Sequence, residues 1–84
     1  MKPIETIYVA LPEESVAVWR PINAVRLHDN VFLIVEQEYD REVETWQFVP
    51  GDVVQCEIIQ TYEGQILAAV SRLERSDSIE GPVR

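Results

Sequence analysis

The sequence predicts an all-β protein, a small five-stranded SH3-like barrel; an OB-like or other small β-barrel is the alternative. Three observations carry this. The 84 residues are rich in Val and Ile and include three Tyr, two Phe and two Trp, the types that suit a half-buried pleated surface. Strand-like segments recur at intervals of about ten residues, with turn residues between them, which is the pattern of a sandwich or barrel. The connections alternate long, short, long, short, and that spacing selects the SH3-like arrangement. Closure of the sheet removes the exposed edges that so small a β protein would otherwise present.

The elements follow in chain order. Ile4–Leu11 alternates, with Ile7, Val9 and Leu11 on one face and Glu5, Thr6 and Tyr8 partly exposed. Pro12-Glu13-Glu14-Ser15 reads as a turn or loop. Val16–Leu27 is strand-like but contains Pro21, which has no N–H for a ladder, so a bulge, bend or edge is expected there. His28-Asp29-Asn30 is a tight hairpin connection, because Asp and Asn tolerate left-handed backbone. Val31–Glu36 is a continuous apolar run ending in Glu36, the pattern of a strand covered on both faces or sharply curled. Gln37–Val49 is polar and then aromatic, and Asp40–Phe48 has room for one helical turn, with Val43 and Trp46 three apart. Pro50-Gly51-Asp52 is a strong turn. Val53–Thr61 alternates, with Val54, Cys56 and Ile58 facing one way, and Glu63-Gly64 closes a short hairpin into Gln65–Leu73. Residues 1–74 form one domain, and residues 75–84 are expected to be a flexible tail.

Composition narrows the function classes. Seven Lys+Arg against fifteen Asp+Glu give a formal net charge of −8, which argues against binding to a phosphate backbone. One cysteine builds neither an intramolecular disulfide nor a multi-thiolate metal site. No apolar run approaches the roughly 18 residues of a membrane span. Met1-Lys2-Pro3-Ile4-Glu5 places a Glu where a signal peptide needs an apolar core, so a cytoplasmic protein is expected. A chain this short gains little from its own core, so it uses its apolar residues efficiently or gains burial by self-association.

Val18-Trp19-Arg20-Pro21-Ile22, then Val31-Phe32-Leu33-Ile34, then Trp46-Gln47-Phe48-Val49-Pro50-Gly51-Asp52-Val53-Val54-Gln55-Cys56 resembles a group of small acidic bacterial proteins without an assigned activity. Their pattern is V-W-R-P-V, a short hairpin, then W-x-F-x-P-G-x-x-V-x-C. The resemblance spans residues 7–70 and implies a shared small fold and a bacterial setting, with no catalytic residue to carry over. The Ala-Leu-Tyr-Asp-Tyr type of signature found in eukaryotic SH3 domains is absent.

Little in the chain suits catalysis. His28 is the sole histidine and reads as a turn residue. Cys56 lies on an alternating apolar face, where a thiol behaves as a small hydrophobe, with carboxylates rather than cations nearby. Neither catalytic nor metal-binding residues are expected, and no cofactor. The pattern that stands out is acidic. Glu36, Glu38, Asp40, Glu42 and Glu44 occupy every second position, so an extended ribbon would carry all five on one side. Residues 36–57 hold seven acidic groups and one basic group, a net −6. The bland reading is a solvated loop or a charged edge that blocks strand pairing. The sharper reading is a surface for a basic partner.

Trp19, Arg20 and Trp46, types common at interface hot spots, are the expected anchor beside it, with Tyr8, Tyr39 and Tyr62 able to join. In the bland reading a core Trp stands beside a structural Arg paired to carboxylates. The expected function is therefore a non-catalytic protein–protein interaction module with an acidic surface, an immunity- or antitoxin-like protein being one version. One rival is a peptide-binding barrel using Tyr8, Trp19 and Trp46 as a contiguous groove. The other is an oligomeric structural module in which Val31–Val35 pairs between chains. The partner expected is a protein, not nucleic acid or membrane.

Overall fold

The computed structural model describes residues 2–13 and 18–74. It is all-β: β1 (Ile4–Ala10), β2 (Trp19–His28), β3 (Val31–Ile34), β4 (Val53–Thr61) and β5 (Gly64–Glu74). They close into a barrel in the order β1-β2-β3-β4-β5. Four antiparallel steps in succession leave β5 running the same way as β1, so the closing pair is parallel, with Tyr8 opposite Ala68. The long connections follow β1 and β3, and the short ones follow β2 and β4. The expected barrel, with the expected alternation of loops, is the observed one. The expected tail at 75–84 and the start of the second strand at Val16 lie outside the described residues.

Alternation places the core. Ile7 and Val9 of β1, Ile22 and Ala24 of β2, Phe32 and Ile34 of β3, and Val54 and Cys56 of β4 are buried inside the barrel. Leu11, Trp46 and Phe48 join them from outside the strands. Among the described residues no buried side-chain nitrogen or oxygen lacks a partner.

Pro21 is accommodated by an edge. Asn23 directs its backbone N–H and C=O away from β1, to the side chain of Gln37. Pro21, two residues earlier, directs its nitrogen the same way. β3 pairs β2 only from Ala24 onward, so no ladder bond is lost at Pro21. The β2 irregularity falls instead between Arg26 and His28, where the hairpin turns through Asp29 at φ 45°.

β3 is shorter than Val31–Glu36 and is paired on both sides, to β2 and to β4. The intermolecular pairing of Val31–Val35 is therefore corrected, because neither edge of β3 is free. Past Ile34 the chain leaves the sheet, and the Pro50-Gly51 turn returns it: Asp52 N–H donates to Val49 C=O at 3.0 Å, with Gly51 at φ 97°. Only a residue without a Cβ adopts that φ without strain. Ile58 keeps the face of Val54 and Cys56 but is not buried with them. It is 59% exposed, because the β4–β5 hairpin runs on past the closed part of the barrel.

Candidate protein-interaction site

The segment between β3 and β4 carries the acidic residues, and three ties fix it to the barrel. Gln37 acts as a one-residue strand. Its Oε1 accepts from Asn23 N–H at 3.0 Å, and its Nε2 donates to Asn23 C=O and to Val35 C=O, both at 2.9 Å. Gln47 N–H donates to Ala10 C=O at 2.9 Å. Asp52, 1% exposed, accepts from Val49 N–H at 3.0 Å and faces Arg72 at 3.4 Å.

Within these anchors the segment folds back on itself. Tyr39 and Trp46 stack with ring centroids 4.2 Å apart, and Tyr39 Oη accepts from Trp46 N–H at 2.9 Å. The intervening residues turn at Asp40: Val43 and Glu44 N–H donate to its C=O, and its carboxylate accepts from Glu42 N–H at 2.9 Å. Asp favours this local side-chain bond. No helix forms.

The turn breaks the expected five-carboxylate ribbon. From Glu36 to Asp40 the alternation holds: Glu36, Glu38 and Asp40 are exposed, Gln37 and Tyr39 half-buried. Glu42 stays exposed, but Glu44 turns inward. Its Oε1 accepts from Arg20 Nε at 2.7 Å and from Trp46 Nε1 at 2.7 Å, and its Oε2 lies 2.6 Å from Arg20 Nη2. Glu44 is thus a structural partner of Arg20, not a fifth open carboxylate.

Arg20 lies opposite Val9, on the side of β2 that buries Ile22 and Ala24. At the barrel mouth its side chain stays exposed, and the loop brings Glu44 to meet it there. The two-point fork fixes the orientation of both groups. Hydrogen bonds from Arg20 and then Trp46 hold the Glu44 carboxyl below its ordinary range, and the bond and charge of Glu44 raise the Arg20 guanidinium.

A pH dependence follows. Protonating Glu44 is harder in the folded than in the unfolded chain, so its contribution is present above the unfolded carboxylate value, about 4.3. It is lost as pH falls through the lower folded value. The pair is partly exposed, with side-chain accessibilities of 45% for Arg20 and 16% for Glu44, so the contribution is held to about 1 kcal/mol or less. Glu44→Gln should lower stability by that amount at pH 6 and by progressively less as the pH falls towards 2. Urea titrations of both proteins across that range check it.

Two recesses open along this segment. The first, about 510 Å³, is lined by Arg20, Pro21, Glu38, Tyr39, Asp40, Glu44 and Trp46, among others. The second, about 560 Å³, includes Glu36, Asp40, Glu42 and Arg41. They share Gln37, Tyr39 and Asp40. Arg41 places its guanidinium 5.2 Å from the centre of the Tyr39 ring.

The expected aromatic anchor divides. Trp46 is 7% exposed and stacked, a wall of the first recess and not a surface residue. Trp19 is half-buried and lines a third recess, of about 570 Å³, with Tyr8, Val18, Tyr62 and Ile66. The contiguous Tyr8–Trp19–Trp46 groove is corrected accordingly, because Trp46 stands with Arg20 in another recess. Gln37 carries no sequence signal of this role, being a polar residue in no special pattern.

The other candidates are structural in their surroundings. His28 lies in the hairpin beside Asp29. Cys56 is fully buried, and burial pushes its thiol up to about 11. A thiolate-specific reagent at pH 8 should leave native Cys56 unmodified and label it stoichiometrically in denaturant; rapid native labelling would contradict the burial. Among the described residues no three His, Cys, Asp or Glu are grouped to hold a metal ion, and no helix is long and apolar enough to cross a membrane. No protein-family model matches this chain, and no curated protein or solved structure shows significant similarity to it.

Proposed function

We propose that the protein is a non-catalytic interaction module that binds a basic protein through the acidic segment between β3 and β4. The observation that carries this is the placement of Glu36, Glu38, Asp40 and Glu42. All four are exposed, on a segment tied to the barrel at Gln37, Gln47 and Asp52, and they border two adjoining recesses. A solvated loop needs charge but not this anchoring. A fixed display of one sign of charge steers an oppositely charged surface and sets its register. An immunity- or antitoxin-like protein that covers the basic cleft of a nuclease is one version, and the cytoplasm is the compartment we assign to it.

Replacing Glu36, Glu38, Asp40 and Glu42 by Lys tests the reading. The tagged protein, the reversed variant and a control with Glu13, Glu57, Glu63 and Glu74 replaced by Lys are used to capture partners from a lysate of the source cell. A basic protein held by the wild type and the control, released by high salt and missed by the reversed variant is the expected result. Equal capture by all three contradicts it.

A peptide-binding reading retains one observation. Tyr8, Trp19 and fully exposed Tyr62 share the third recess, at the β4–β5 hairpin. Trp19→Ala removing capture while the acidic reversal leaves it intact would favour that reading.

A further inference from the structure

We infer that residues 36–47 form a strap that opens and closes on the barrel as one unit while the barrel itself stays shut. The first observation is a clamp at the base of the segment. Gly51 N–H donates to Ile34 C=O at 2.8 Å, and Ile34 N–H donates to Asp52 C=O at 3.0 Å. The chain is thus joined across its base where β3 ends, and the positive φ of Gly51 turns the returning chain into the clamp. Among the described residues, 36–47 have no place in any strand pairing. Their release therefore breaks no bond of the sheet.

The second observation is the make-up of the ties beyond the clamp. Trp46 is buried, and the other residues from 36 to 47 are half-buried or exposed. Gln37 holds the backbone of Asn23 and Glu44 holds Arg20, both through side-chain bonds at the exposed surface. Gln47 N–H on Ala10 C=O is the backbone tie. Few buried apolar groups and exposed hydrogen bonds mark a region that opens at a lower free energy than the core. The ties are also joined to one another. Trp46 donates through its indole to Glu44 and through its backbone to Tyr39, whose ring it stacks on, and it adjoins Gln47. Losing one tie therefore loosens the next.

The inference does not depend on the reading above. For any partner of the segment, the strap sets the fraction of molecules that present the carboxylates in fixed positions, and apparent affinity scales with that fraction.

Amide hydrogen exchange of the full chain by NMR tests it, with each variant perturbing one tie and the readout taken at another. Gln37→Ala should accelerate exchange at Gln47 N–H and Trp46 N–H by a common factor of about three- to tenfold, the value of lost hydrogen bonds. Glu44→Gln, which keeps an oxygen for the Trp46 indole, should accelerate the same two amides by about two- to fivefold. Gly51 N–H in the clamp and Cys56 N–H, which donates to Asn30 C=O within the barrel, should not change in either variant. Acceleration confined to Asn23 in Gln37→Ala, with Gln47 unmoved in both variants, would mean that the ties fray separately and would overturn the strap. Equal acceleration at Gly51, Cys56 and Gln47 would mean that the segment opens only when the barrel unfolds, and would also overturn it.

Discussion

Trp46→Ala should destabilise the protein by about 3–5 kcal/mol, the range for truncating a large buried aromatic. Three losses combine. The stack on Tyr39 disappears, the indole no longer donates to Glu44, and apolar contact with the barrel core is removed. A domain of this size has a total stability of about 4–13 kcal/mol. The melting temperature should therefore fall by roughly 15–30 °C, and a substantial unfolded fraction at 37 °C is expected. Trp46→Phe retains a ring for Tyr39 and gives up the N–H, so it should recover more than half of the loss. Thermal melts by circular dichroism check both. A Trp46→Ala protein as stable as the wild type would mean that the stack does not hold the segment in place.

Asp52→Ala should cost about 2–3 kcal/mol, and the reason is polar. The Asp52 carboxylate is buried and receives Val49 N–H at 3.0 Å, with Arg72 at 3.4 Å. Truncation leaves the Val49 N–H without its partner, and the cost of an unmet donor exceeds the net value of an ordinary hydrogen bond. It also releases the end of the acidic segment from the Pro50-Gly51 turn. Asp52→Asn retains an acceptor for Val49 and loses the charge facing Arg72, so its cost should be about half. Hydrogen exchange at Val49 and Gly51 should accelerate in Asp52→Ala before exchange in β1 or β4 does, if Asp52 clamps this segment rather than the barrel as a whole.

The barrel was legible because local signals and closure agree. Alternation at Ile7-Val9-Leu11, the Asp29 hairpin and the Pro50-Gly51 turn each predict a local geometry, and together they fit the closed five-stranded barrel observed. The site was only half legible. Period-two spacing located Glu36, Glu38 and Asp40 correctly, but it carries no information about where an extended segment turns. Asp40 bonds locally to Glu42 N–H, so Glu44 swings to Arg20, 24 positions away in sequence. Likewise, Trp46 and Trp19 look equivalent as aromatic residues in strand-like text. Only the path of the segment across the barrel mouth makes one a buried wall and leaves the other half-buried near the hairpin. Pairings between distant side chains, and a Gln acting as a strand, leave no periodic trace.

In the proposed function the four exposed carboxylates steer and hold a basic protein. The most direct test of that role is the association rate of the captured partner with three proteins across a range of salt: the wild type, the Glu36/Glu38/Asp40/Glu42 reversal to Lys, and the remote reversal at Glu13, Glu57, Glu63 and Glu74. The wild type and the remote variant should associate rapidly at low salt and slow steeply as salt rises, while the segment reversal should associate about 10 to 1,000-fold more slowly at low salt. A segment-reversed protein that binds at the wild-type rate, with the same salt dependence, would contradict it.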